Sequence, residues 1–155
     1  MGWSVIQAGP TEPKYIASGV LEIPRNDKEP YQKYRARVIE RSAHWYYQIA
    51  YKHEFYLLAY ETIPVKGFRD MSQALLAGAG ITAIHACAVV ETVPVTQVAA
   101  PSVKARIAGS NRATKVGVRK GVQRFLPELD VPGWPQYPDE SDAVAIGLTA
   151  LGYKL

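Results

Sequence analysis

Apolar and polar positions alternate along this chain with two periods, one typical of strands and one typical of helices. Residues 3–7 and 15–23 are rich in β-branched and aromatic side chains, and a Gly- and Pro-rich turn separates them, which predicts an antiparallel hairpin. Residues 55–61 form an apolar run that ends in Glu61, as expected for a strand covered on both faces of a sheet. A further short strand is predicted over residues 94–98.

Apolar residues at helical spacing predict the remaining elements. A long helix is predicted over residues 26–53, with Asn26 or Asp27 as its cap. The predicted helix over about residues 70–90 carries small side chains, which favour close approach of another helix or of a second subunit. Helices then follow up to the end of the chain. This order of elements is typical of a mixed α/β domain.

Composition limits the class of protein. A chain of 155 residues with 48% apolar residues fits one domain, predicted over residues 1–155, with a sizeable core. Its single cysteine, Cys87, excludes an internal disulfide framework and favours a reducing, cytoplasmic compartment. The longest apolar stretch, residues 74–90, is interrupted by polar residues and falls short of the roughly 20 residues that span a bilayer, so no membrane association is expected.

Near the end of the chain, residues 138–148 read as a helix that opens with acids and becomes apolar. Asp139 and Asp142 are three residues apart, so they share a helix face, and that face continues into Ile146 and Ala150. Both carboxylates are therefore predicted to point towards packed protein. A buried unpaired charge costs several kcal/mol, and a divalent cation is one suitable partner. In the alternative interpretation, Asp139 caps the helix and Asp142 is a capping-box acid.

Glu61 stands at the end of a predicted buried strand, and ligands of α/β proteins bind at strand ends, although an exposed terminus is the simpler interpretation. If Glu61 converges with Asp139 and Asp142, the three carboxylates form a cluster of the kind that holds Mg²⁺. Two such ions activate a water and stabilise the leaving oxygen of a phosphodiester.

The basic residues favour an anionic partner. The net charge is +4, and the stretch from Lys104 to Arg124 contains seven basic residues and no acid. Such a stretch holds a polyanion through phosphate contacts that carry little sequence information, although a solvated surface is the alternative. The residues of this stretch, called the basic stretch below, are Lys104, Arg106, Arg112, Lys115, Arg119, Lys120 and Arg124.

Taken together, these residues resemble the RuvC-type Holliday junction resolvases of the ribonuclease-H-like superfamily, over essentially the whole chain. Residues 2–6 with 18–19 look like the family's second and third strands, and residues 57–61 look like the strand that carries its second catalytic acid. The sequence Asp-Glu-Ser-Asp-Ala-Val-Ala at residues 139–145 is similar to the closing acid motif, the most specific of these matches. The resemblance implies a ribonuclease-H-like mixed sheet flanked by helices.

The resemblance also implies the chemistry and its residues. Glu61, Asp139 and Asp142 would be metal ligands for Mg²⁺ or Mn²⁺, and Lys104 and Lys115 are similar to the family's two lysine positions near the active site. It further implies a homodimer that cuts four-way DNA junctions symmetrically, in recombination and repair.

Two positions depart from the family pattern. The family has an aromatic side chain shortly after the Glu, where this chain has Pro64, so Phe68 is the expected substitute at the junction. The family's first strand, with an Asp-Pro-Gly motif and the first metal ligand, would precede Gly2. We therefore expect these 155 residues to bind four-way junctions as a dimer and to cleave them very slowly or not at all.

Three functions follow from this sequence. The leading one is a metal-dependent, structure-selective endonuclease that resolves four-way junctions. The second is a junction-binding protein without nuclease activity. The third is another ribonuclease-H-like nuclease with a different substrate.

Overall fold

The computed structural model describes residues 1–62 and 71–155, with only the backbone of Met71 and Gln73. The chain forms two compact units. The first consists of Met1–Val20, Ala59–Thr62 and Thr96–Leu155, and the second of Leu21–Leu58 and Ile63–Val95. The single ribonuclease-H-like domain expected over residues 1–155 stays a prediction.

The described elements follow the predicted order of strands and helices, which confirms a mixed α/β chain. They are β1 (Gly2–Gln7), β2 (Lys14–Val20), α1 (Tyr31–His53), β3 (Leu58–Glu61), α2 (Met71–Val90), β4 (Val95–Val98), α3 (Ala100–Ala108), α4 (Lys115–Phe125), a 3₁₀ turn (Pro127–Leu129) and α5 (Pro138–Ala150).

The predicted hairpin is confirmed. Strands β1 and β2 pair antiparallel, with Gly2 opposite Val20 and Gln7 opposite Lys14, and a register shift between Val5 and Ile6. Strands β3 and β4 form a second two-stranded sheet among the described residues.

The start of α1 differs from the prediction. The helix begins at Tyr31 with Pro30 as its N-cap, and no side chain caps it. Asn26 forms a turn instead, because its side-chain oxygen accepts a hydrogen bond from the Lys28 N–H and its carbonyl oxygen accepts one from the Glu29 N–H. Proline disfavours helical backbone at the residue before it, so Pro30 prevents the helix from extending upstream through Glu29.

The core of the first unit lies where α3, α4 and α5 meet. Its buried residues are Val98, Val103, Ile107, Val118, Val122, Leu126, Leu129, Trp134, Val144, Ala145 and Leu148. Helix α5 also packs closely on β1, since a methyl group added at Gly147 would lie 2.8 Å from the Ile6 side chain. This packing fixes the position of the acid-bearing helix.

We expect Gly121→Ala to lower the free energy of unfolding by about 1–3 kcal/mol, because overpacking forces the backbone to shift. A methyl group at Gly121 would overlap the carbonyl oxygen of Ile107, where α4 crosses α3. Gly117→Ala is the matched control, because its methyl group would make ordinary contacts with Ala113 and Thr114. The control removes a flexible residue from the same helix and should raise the free energy of unfolding by about 0.4–1 kcal/mol. Urea unfolding of both variants checks this pair, and equal effects would contradict the close crossing.

The second unit is built on α1 and α2, whose buried residues Tyr46, Ile84, Cys87 and Ala88 form its core. Cys87 is buried in this core. None of the described helices has the length and apolar character needed to cross a bilayer.

Candidate active site

Four elements of the first unit carry the residues of the candidate site. Glu61 is the last residue of β3, Lys104 lies on α3, Lys115 is the first residue of α4, and Asp142 lies near the start of α5. The start of α4 is fixed by Thr114, whose side-chain oxygen accepts a hydrogen bond of 3.2 Å from the Gly117 N–H. This cap sets the position from which Lys115 extends.

Strand β1 holds the start of α5. The Ser4 hydroxyl donates a hydrogen bond of 3.0 Å to the Ala143 carbonyl oxygen. A methyl group at Gly2 would overlap the backbone of Asp139, so this close approach requires glycine. The hairpin and the acid-bearing helix therefore position each other.

Lys115 and Asp142 form an ion pair, with 3.1 Å between Nζ and Oδ2. Its two side chains are 68% and 34% exposed, so the pair adds little to stability. The pKa of Lys115 is raised, first by the hydrogen bond to Asp142 and then by the charges of Asp142, Asp139 and Glu61. Lys115 therefore remains a cation at neutral pH, and all three acids that the sequence singled out act on its charge.

Glu61 shares these surroundings. Its pKa is raised, chiefly by burial and then by the negative charge of Asp142, while Lys104 and Lys115 act in the opposite direction. The carboxylate of Asp142 and the ammonium groups of Lys104 and Lys115 thus all act electrostatically on Glu61 at the end of β3. The repulsion between Glu61 and Asp142 is the kind that a bound cation relieves.

The prediction that Asp139 lies on the buried face of α5 is wrong, because the buried face is displaced by one residue. Asp139 is exposed, and the buried polar residues at this end of the helix are Glu140 and Ser141, at 6% and 4% exposure. Asp139 is not the cap either, because the N-cap is Tyr137 and no side chain caps the helix.

Glu140 is an acid whose role the sequence interpretation missed. Its Oε2 accepts a hydrogen bond of 3.0 Å from the Gln136 N–H, just before the helix. Pro138 occupies the first helical position, which places Glu140 at the third position, where capping-box acids occur. The position of Glu140 two residues after Pro138 is the sequence feature that predicts this hydrogen bond.

The donor groups at this site fit a metal ion only in part, because two of the three predicted carboxylates come together. Within residues 1–62 and 71–155, no three Asp, Glu, His or Cys side chains form a group that could hold a metal, so Asp139 does not complete a three-carboxylate cluster here. Glu61 and Asp142 remain as hard oxygen donors whose charges repel each other. Mg²⁺ is commonly held by one or two carboxylates together with waters and substrate phosphates, so this pair fits such an ion.

The rest of the basic stretch lies on the surface around α3 and α4. Val118, Gly121 and Val122 form the buried face of α4, so Arg119, Lys120 and Arg124 occupy the other faces. Arg106 and Arg112 are exposed. Phe68, the expected aromatic substitute, lies outside the described residues.

The chain matches one protein family and a relative that carries the same family name. The family model described as crossover junction endodeoxyribonuclease RuvC matches residues 1–150. The RuvC of Hydrogenovibrio crunogenus is 26% identical over 144 residues, which cover 93% of this chain and 76% of that protein.

Solved structures show the same fold. Thermus thermophilus RuvC matches with a TM-score of 0.72 and 21% identity, over 97% of this chain and 86% of that one. The T. thermophilus RuvC in complex with a Holliday junction substrate matches with a TM-score of 0.70 and 21% identity, over 96% and 84% of the two chains. The ribonuclease-H-like α/β fold is therefore confirmed. Because the family model covers nearly the whole chain, this protein belongs to the RuvC family of crossover junction endodeoxyribonucleases, which are divalent-metal-dependent nucleases.

Proposed function

We propose that this chain resolves four-way DNA junctions by hydrolysing phosphodiester bonds at a site built from Glu61, Asp142, Lys104 and Lys115, with Mg²⁺ or Mn²⁺ as its metal. The observation that carries the proposal is the 3.1 Å ion pair between Lys115 and Asp142, together with the electrostatic influence of Asp142, Lys104 and Lys115 on Glu61 at the end of β3. Paired carboxylates beside ammonium groups suit a reaction in which a metal-bound polyanion is cut.

Each residue has a distinct role in this proposal. Glu61 and Asp142 would hold the divalent ion, which when bound lowers the pKa of water and polarises the phosphoryl oxygens. Lys104 and Lys115 neutralise charge that develops on the scissile phosphate. Asp139 is exposed and acts on Lys115 through its charge, so it would join the metal ligands only in the complex with metal and DNA.

A junction cleavage assay tests the function. Wild-type protein is incubated with a labelled synthetic four-way junction and, separately, with a linear duplex of the same sequence, each with Mg²⁺, with Mn²⁺ or with a chelator. The proposal predicts cleavage of the junction in preference to the duplex, and none with the chelator. Tight junction binding without metal-dependent cleavage would instead support the junction-binding alternative and the very slow or absent cleavage expected from the sequence.

The basic stretch is proposed to hold the DNA backbone. We expect Arg119→Gln and Lys120→Gln each to weaken junction binding and to reduce the slope of log affinity against log salt by about one unit, because each removes one phosphate contact. Binding is measured by fluorescence anisotropy over a series of salt concentrations. Lys14→Gln, an exposed position on β2, is the control. Unchanged slopes in both variants would make this surface a solvated face only.

The proposed homodimer rests on the exposed face of α2. Leu75, Val89 and Val90 are 51%, 59% and 72% exposed, and Thr82 and Ala86 are exposed between them. The 20 residues of α2 contain no Asp, Glu, Lys or Arg. An uncharged face with exposed aliphatic side chains is typical of a helix that packs against another subunit.

We expect Ala86→Glu to convert the dimer into monomers, because it places an unpaired carboxylate in the apolar interface. Sedimentation velocity of the wild type and the variant measures the change. Ala36→Glu, on the exposed surface of α1, is the matched control and should leave the dimer intact. A wild type that sediments as a monomer at micromolar concentration would contradict the interface.

A further inference from the structure

The second unit carries a polar cleft next to the start of α1. The cleft has a volume of about 390 Å³ and is open to solvent. Its lining residues are Asn26, Lys28, Glu29, Pro30, Lys33 and Arg37. All of them except Pro30 have polar side chains. Three of the six are cations, and nothing in the proposed function uses them.

The only acid in the lining is neutralised within the cleft. Glu29 accepts hydrogen bonds of 3.1 and 2.6 Å from Nε and one terminal nitrogen of Arg37. The hydrogen bond from Arg37 is the main cause that lowers the pKa of Glu29. The carboxylate is therefore ionised and already paired.

Arg37 is held firmly in place. It donates a hydrogen bond of 2.7 Å to the Pro24 carbonyl oxygen, and its guanidinium lies 5.3 Å from the centre of the Tyr34 ring. The Tyr34 hydroxyl donates a hydrogen bond of 2.9 Å to the Ile23 carbonyl oxygen. One wall of the cleft is thus a fixed network rather than a set of loose surface chains.

Lys28 and Lys33 supply the remaining charge. Both are exposed, and neither forms an ion pair with any residue in the described ranges 1–62 and 71–155. The Asn26 side-chain oxygen accepts the Lys28 N–H, which leaves its amide group as a further donor. The cleft therefore offers two ammonium groups and an amide, and its net charge is positive.

We infer that this cleft binds a phosphate of the DNA backbone and is a second DNA contact, separate in sequence from the basic stretch. Two lysines and a neutral donor suit a phosphodiester, which has several acceptor oxygens and one negative charge. Pro30 supplies the only apolar side chain of the lining, which disfavours a hydrophobic small molecule. The inference rests on the proposed function, because that function makes DNA the substrate.

The test compares two double variants of the full chain. Lys28→Gln/Lys33→Gln removes two charges from the cleft, and Arg41→Gln/Lys52→Gln removes two exposed charges of α1 outside it. Affinity for a synthetic four-way junction and for linear duplex DNA is measured across a salt series. The cleft variant should reduce the salt slope by about one unit with both DNAs, because one phosphate contact is lost, and the control should not. Its cleavage rate at saturating junction should equal that of the wild type.

The inference and the proposed function fail differently. Equal slopes for the two double variants would overturn the DNA contact even if the wild type cuts junctions. If the wild type neither prefers nor cuts junctions, the proposed function fails. The salt slopes measured with duplex DNA then still show whether the cleft contacts a phosphate. In a separate arm, inorganic phosphate is titrated while the amide signals of Lys28 and Lys33 are followed by NMR. Phosphate-induced shifts with unchanged DNA slopes would assign the cleft to a free anion and overturn the contact with DNA.

Discussion

Replacing Asp142 with Asn is expected to reduce junction cleavage by roughly 100-fold or more while junction binding stays largely intact. Removal of a group that only supports a metal ligand costs about 10–100-fold, and loss of a ligand itself should exceed that. The substitution keeps the size of the side chain and removes the charge that pairs with Lys115 at 3.1 Å. Since that pair is largely exposed, the variant should remain folded.

Single-turnover cleavage of a labelled junction and anisotropy binding with the same DNA separate the two effects. Asp130→Asn, at an exposed site outside the cluster, is the matched control and should cleave like the wild type. Normal cleavage by the Asp142→Asn protein would mean that Asp142 is not a metal ligand and only pairs with Lys115.

Replacing Glu61 with Gln should abolish cleavage and, unusually for an active-site change, stabilise the protein near neutral pH. The pKa of Glu61 is raised in the folded state by burial and by the charge of Asp142. A carboxyl group with a raised folded pKa favours folding below its unfolded pKa, and that contribution is lost as pH rises through the folded pKa. Wherever Glu61 is ionised, its charge is therefore a cost to folding, which Gln does not have.

Melting temperatures from about pH 4 to pH 8 measure this effect. The advantage of Glu61→Gln over the wild type should be small at the acid end, grow as pH rises through the pKa of Glu61, and then level off. Glu22→Gln, at an exposed position, is the control and should show no such growth. A Glu61→Gln protein that melts below the wild type at every pH would mean that the carboxylate is stabilised by its lysine neighbours.

Much of the fold followed from local patterns, and the errors occurred at helix starts. The hairpin could be predicted because β-branched runs flank Gly and Pro residues. The sequence predicts too early a start for α1, because Asn26 is a good cap, whereas Pro30 blocks the helix upstream of Tyr31. In α5, Pro138 occupies the first helical position, so Glu140 and not Asp139 bonds back to the chain before the helix and is buried.

The candidate site was predictable in its residue types and not in its geometry. Glu61, Lys115 and Asp142 lie on three elements far apart in sequence, so spacing alone could not bring them together. The resemblance to the resolvases supplied that expectation. The ion pair of Lys115 with Asp142 and the exposure of Asp139 depend on how α4 and α5 pack, which only the structure shows.

The central claim is that Glu61 and Asp142 hold one divalent cation, and Mn²⁺ binding in the absence of DNA tests it most directly. Free Mn²⁺ is measured by electron paramagnetic resonance as it is added to the wild type, Asp142→Asn, Glu61→Gln and the Asp130→Asn control. The account predicts saturable binding by the wild type and the control, and affinity at least about 10–100-fold weaker in each of the other two variants. Equal affinity in all four proteins would contradict it, because the metal would then be held elsewhere.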